Sequence, residues 1–135
     1  YVVPLGKANV VKEGKDITLV TLSGTVAPAL AASLSLASYL DVEVIDLRSV
    51  VPLDIATVAE SVRKTGRLLV VDEDYLSFGL SGEIVARLLE AGVRINNVRR
   101  LAVPDVPIPG ARTLEEAVVP NEQSIRHELE LLGNK

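Results

Sequence analysis

The sequence predicts an α/β domain whose largely parallel sheet carries helices on both faces. Three observations predict it. Apolar runs of strand length alternate with apolar or amphipathic segments of helix length. The gaps between runs hold the dozen or so residues that a parallel crossover needs. Apolar residues make up 48% of the chain, yet only three Tyr and one Phe occur, so the core must be aliphatic, as in buried β-branched strands under Leu/Ala helices. At 135 residues the chain suits one domain spanning 1–135.

Four apolar runs read as strands: Ile17–Leu22, Val42–Leu47, Leu68–Asp72 and Val98–Leu101. The first and third are continuous, as strands buried on both faces are. The second alternates, Val42, Val44 and Leu47 against Glu43 and Asp46. A weaker run, Ala8–Lys12, reads as an edge strand, with Glu13-Gly14-Lys15-Asp16 as the turn after it. Between the strands lie helices. Thr25–Leu40 has Thr25 as its cap and Pro28 in its first turn, and sets Val26, Leu30, Leu34 and Ala37 on one face. Asp54 caps the next helix. Ile55, Val58, Ala59 and Val62 form its buried stripe, Arg63 and Lys64 close its last turn, and Gly66 stops it. A third runs from about Ser81 to Ala91 and buries Ile84, Val85, Leu88 and Leu89. The last starts near Asn121 and spaces Ile125, Leu129 and Leu132 at i, i+4, i+7. The three prolines of Pro104–Pro109 demand an extended surface segment.

Composition narrows the function. Net charge is −4 with mixed signs, and Arg99-Arg100 has no interleaved aromatic, so nucleic acid is not an expected partner. No apolar run approaches the ~20 residues of a membrane span. Without cysteine, disulfides, thiolate metal sites and cysteine nucleophiles are excluded. His127, the one histidine, reads as a surface residue of the last helix, and no Gly-x-Ser-x-Gly elbow is present. The chain opens on Tyr1 and contains no methionine, which suggests a piece of a longer polypeptide.

Open parallel sheets bind ligands beyond the carboxyl ends of their strands. Three segments fall there. Ser23-Gly24-Thr25 offers a helix N-terminus to an anion, but lacks a glycine-rich phosphate fingerprint and reads as a plain turn. Asp72-Glu73-Asp74 offers carboxylates to a metal or to acid/base chemistry, although three neighbours rarely converge on one ion. Tyr75, Phe78 and Gly79 follow, and aromatics in a glycine-rich loop suit either a subunit contact or burial at the loop base. Asp105, Val106, Pro107, Ile108 and Pro109 form an apolar ridge that packs on its own domain or docks a partner.

The segments in series resemble the C-terminal domain of the transketolase-like family, in its E1 β form from 2-oxo acid dehydrogenases. Val3-Pro4-Leu5-Gly6-Lys7-Ala8 resembles the family's opening. Glu43–Arg48 with Val51-Pro52-Leu53-Asp54 resembles its second strand and helix entry. Lys64-Thr65-Gly66-Arg67, the strand ending in Asp72-Glu73, and Phe78-Gly79 match the E1 β pattern. Asp105–Pro109 and Leu114–Ala117 resemble its tail. Leu80-Ser81-Gly82 departs from the small-residue pair usual before the glutamate.

The resemblance implies a three-layer α/β/α sandwich with a five-stranded, mostly parallel sheet whose first strand is antiparallel. It implies a parent enzyme that oxidatively decarboxylates a 2-oxo acid with thiamine diphosphate and Mg²⁺ and acylates lipoyl groups on E2. Its partners would be an E1 α subunit, a second E1 β subunit and the E2 acyltransferase, in the cytoplasm or the mitochondrial matrix. The cofactor and catalytic residues of the family lie outside this domain, so no catalytic, cofactor or metal residue carries over. The expected role is assembly and docking, with Tyr75, Phe78, Gly79 and Asp105–Pro109 as interface candidates and the isolated domain inactive. Two alternatives stay open. One is the C-terminal domain of a 1-deoxyxylulose-5-phosphate synthase or transketolase, which Phe78-Gly79 and Asp105–Pro109 disfavour. The other is a free-standing, non-catalytic protein-binding module, since fold alone does not settle function.

Overall fold

A computed structural model describes residues 5–104 and 119–134. In it β1 (Asn9–Lys12) leads through a turn to β2 (Ile17–Thr21). A single 3₁₀ turn at Ser23–Thr25 opens α1 (Val26–Ser35), followed by β3 (Val42–Asp46), α2 (Ile55–Thr65) and β4 (Arg67–Tyr75). Then come α3 (Leu80–Glu90), β5 (Asn97–Val103) and α4 (Glu122–Gly133).

The sheet has the order β1-β3-β2-β4-β5. β1 runs antiparallel to β3, and the other four strands are parallel. The fold expected from the family resemblance is therefore the fold found. Strand order reverses between β2 and β4, so the crevice of an open α/β sheet lies between their carboxyl ends.

Helices cover both faces with aliphatic cores. Under α1 and α4, Ile17, Leu19, Val44 and Leu69 meet Leu36, Ile125, Leu129 and Leu132. Under α2 and α3, Val20, Leu68 and Val70 meet Val58, Val62, Ile84 and Leu88. Truncating one such leucine to alanine typically costs about 2–5 kcal/mol. No helix among the described residues is long and apolar enough to cross a membrane.

Three sequence expectations fail in detail. α1 buries Ala29, Ala32 and Ser33, with Leu36 just after it, while Leu34 and Ala37 are exposed. Its ten residues carry no charge, so nothing marks a solvent face. Leu89 on α3 is exposed rather than buried. Glu43, assigned to a polar strand face, is only 4% exposed because α2 covers it.

Candidate functional site

Parallel strands bring their loops to two ends, and the ends of this sheet differ. At the amino end every turn is tied. Gly14 packs so closely on the backbone of Val42 and Glu43 that a Cβ there would overlap it. Its N–H donates to Glu43 Oε1 (3.2 Å), which also receives Lys64 Nζ (2.6 Å). Burial pushes the Glu43 carboxyl up, but hydrogen bonds from Lys64, Ser61 and the Gly14 N–H outweigh it and hold the group below its ordinary value. Thr18 Oγ1 lies 2.7 Å from both Ser61 Oγ and Thr65 Oγ1. A groove of about 340 Å³ between β1 and α2, lined by Glu13, Glu43, Glu60 and Lys64 among others, opens beside this network. Its one buried carboxylate, Glu43, is already bonded to protein. The turns into β4 and β5 place glycine, Gly66 (φ 71°) and Gly92 (φ 78°), where a left-handed residue is required.

At the carboxyl end Gly6 (φ 74°) takes that conformation, and three non-glycine residues take it as well. Ser23 after β2, Arg48 after β3 and Phe78 after β4 have φ of 57°, 61° and 62°. Each such residue costs about 1–2 kcal/mol relative to ordinary backbone, and strain of this kind collects at functional sites. The three most exposed large apolar side chains among the described residues, Leu5, Val51 and Phe78, lie here too, whereas Leu34, Tyr39, Leu89 and Val98 are exposed elsewhere on the domain. Leu5 precedes Gly6, which abuts Pro52. Val50 and Val51 project from the loop after β3, and Tyr75 and Phe78 from the loop after β4. Asp54 ties this end to the N-terminal segment by accepting the Ala8 N–H (2.9 Å) while capping α2 through Thr57. Burial raises the Asp54 carboxyl, but the Thr57 and Ala8 bonds, with Lys7 nearby, lower it further than burial raises it.

The Tyr75–Gly79 loop is tied to its neighbours by hydrogen bonds. The Leu76 N–H donates to Val103 O (2.8 Å), and Arg100 Nη1 donates to Leu76 O (2.8 Å). Gly79 passes so close to Tyr75 O that a Cβ there would overlap it, which gives this glycine a backbone reason to be present. Asp74 Oδ1 accepts the Tyr75 N–H (2.8 Å). Phe78 stands fully exposed at the tip and Tyr75 is exposed beside it, so neither is buried at the loop base. The second candidate, Asp105–Pro109, lies outside the described residues. His127 is a surface residue of α4, as expected.

The other two sequence candidates do not assemble into a cofactor site. The Glu73 carboxylate sits against Gly24, so the Ser23–Thr25 turn faces an anion and is unsuited to a second one. Asp72 is buried, and its Oδ1 accepts the Asp74 N–H (3.2 Å), while Glu73 and Asp74 are exposed. No group of three His, Cys, Asp or Glu among the described residues is placed to hold a metal ion. These residues do not fit thiamine diphosphate and Mg²⁺. Arg100 and Glu43 were the residues that sequence reasoning missed. Each works through a partner about twenty residues away, and only the folded sheet reveals such pairs.

The carboxyl rim thus combines left-handed non-glycine backbone with the exposed side chains of Leu5, Val51 and Phe78, and no metal-holding cluster occurs among the described residues. The chain belongs to the transketolase C-terminal domain family, which it matches over residues 6–125. Its relatives narrow this further. It is 43% identical, over its whole length, to the pyruvate dehydrogenase E1 component subunit beta of Drosophila melanogaster, of which it spans 38%. It is 38% identical to the acetoin:2,6-dichlorophenolindophenol oxidoreductase subunit beta of Cupriavidus necator, covering 93% of this chain and 38% of that one. Among solved structures it is similar to a split-gene transketolase in an inactive β4 tetramer, with a TM-score of 0.85 at 30% identity, covering 98% of this chain and 44% of that one. The chain thus spans little more than a third of the curated relatives it matches.

Proposed function

We propose that this chain is the assembly domain of an E1 β subunit of a thiamine-diphosphate-dependent 2-oxo acid dehydrogenase, and that its carboxyl rim is the face that meets the E1 α subunit. The observation that carries the reading is that one end of the sheet holds the left-handed non-glycine residues together with the three most exposed large apolar side chains among the described residues, Leu5, Val51 and Phe78. Apolar and aromatic side chains that are exposed on one chain become interface anchors when a partner covers them. The whole enzyme would decarboxylate a 2-oxo acid and pass the acyl group to lipoyl-E2. This domain would contribute assembly alone, with cofactor and Mg²⁺ held elsewhere. A second β subunit and E2 are the further partners, in the cytoplasm or the mitochondrial matrix. Identity of 43% to an E1 β subunit, against 30% to the split-gene transketolase, favours the dehydrogenase over the transketolase reading.

The test is alanine at Tyr75 and at Phe78 in the full-length β polypeptide, mixed with its α subunit. Sedimentation should find the assembly weakened roughly tenfold or more, the range of an aromatic anchor. An unchanged assembly for both variants would reject the rim as the α-facing surface.

A further inference from the structure

We propose that Arg100 is a positioning residue that presets the Phe78 loop for its partner subunit. The inference rests on the reading of the rim as the assembly face and adds how that face is held ready. Arg100 leaves the α3 side of β5, one strand away from the loop it serves. Parallel pairing of β5 with β4 sets Arg100 opposite Val70, and the long side chain then runs along the sheet toward the loop. Its Nη1 reaches Leu76 O (2.8 Å) and lies 3.4 Å from Ser81 Oγ in the first turn of α3. The guanidinium passes beside Gly82, where a Cβ would make only an ordinary contact with the same nitrogen at 3.5 Å. One guanidinium therefore bridges the two ends of the segment that carries Phe78, from Leu76 before it to Ser81 after it.

The segment needs such a bridge. Phe78 is left-handed and fully exposed, so no packing of its own ring offsets the strain. The Leu76 N–H is fixed to Val103 O on one side. Without Arg100 the Leu76 carbonyl loses this donor and the segment loses its tie to Ser81, which favours relaxation of Phe78 toward an ordinary φ. A partner would then have to restore the strained form on binding. That cost falls on association, because a binding step that requires a conformational change lowers the on-rate. Removing the ring itself takes away contact area and falls on dissociation.

The experiment compares Arg100→Ala, Arg100→Lys and Phe78→Ala in the full-length β polypeptide, with association and dissociation rates to the α subunit measured separately beside thermal unfolding. The expected result has four parts. Phe78→Ala speeds dissociation. Arg100→Ala slows association about fivefold or more with little change in dissociation. Arg100→Lys, which keeps a donor for Leu76 O, recovers most of the rate. Thermal unfolding moves by no more than a degree or two in the two arginine variants. The proposal is overturned if Phe78→Ala weakens assembly while Arg100→Ala leaves association unchanged. It is also overturned if Arg100→Ala acts only in step with a lower unfolding temperature. If Phe78→Ala leaves both rates untouched, the assembly reading itself fails and the positioning role with it.

Discussion

The two ends of the parallel sheet are made by the same strands and finish them in opposite ways. At the amino end, Glu43 and Lys64, Thr18 with Ser61 and Thr65, and Asp41 with the Lys15 N–H pair polar groups within the chain. Left-handed turns there fall on Gly66 and Gly92. At the carboxyl end, Ser23, Arg48 and Phe78 are left-handed without being glycine, and Leu5, Val51 and Phe78 face outward. One end is arranged for the stability of the domain. The other carries left-handed non-glycine backbone and the three most exposed large apolar side chains among the described residues. The difference teaches where to look for function when no catalytic constellation is present: at the end where the chain is not at its own optimum.

The comparison makes graded predictions. The largest effect belongs at the amino end. Gly14→Ala would drive a methyl into the Val42–Glu43 backbone, and overpacking of this kind costs about 3 kcal/mol. Thermal unfolding should record a fall of roughly ten degrees or more in a domain of this size, with assembly affected only through the folded fraction.

A middle effect belongs to Glu43. Glu43→Gln removes the charged acceptor of Lys64. Because the Lys64 side chain is about half exposed, the loss is about 1 kcal/mol rather than the full value of a buried charged pair. The sign with pH follows from the lowered carboxyls. Glu43 and Asp54 titrate below their ordinary values of 4.5 and 3.8 in the folded chain. Their stabilisation is fully present above those ordinary values and is lost as pH falls through the lowered ones. Denaturant midpoints should therefore decline on acidification below about 4.5, and the Gln variant should decline less steeply. An equal slope in both proteins would remove Glu43 from the account.

The smallest stability effect belongs at the rim. Phe78→Gly releases left-handed strain of about 1 kcal/mol and costs about 0.5–1 kcal/mol of added unfolded-chain freedom. The two nearly cancel, so unfolding free energy should stay within about 0.5 kcal/mol while assembly weakens. A loss of more than about 1.5 kcal/mol would mean that Phe78 is part of the core, contrary to its exposure.

Much of this architecture was legible in the sequence. β2 and β4 were continuous apolar runs because both their faces are covered, and α2 carried its own cap, stripe and stop in Asp54, Val58, Val62 and Gly66. What stayed hidden depends on distant partners. The buried side of α1 is chosen by α4 and the sheet, not by contrast within Val26–Ser35. Glu43 looks solvated until α2 is laid over it. Of the rim, Tyr75, Phe78 and Gly79 were visible as an unusual loop, whereas the left-handed turns at Ser23 and Arg48 leave no mark in residue type. The Asp105–Pro109 ridge lies outside the described residues and stands as an expectation only.

Hydrogen exchange of the full-length β polypeptide, alone and bound to its α subunit, tests the contrast between the two ends most directly. Binding should slow exchange in residues 48–53 and 75–80 and leave residues 13–16, 64–67 and 91–96 unchanged. Protection confined to the amino-end turns, or none at either end, would contradict the assignment of the carboxyl rim as the assembly face.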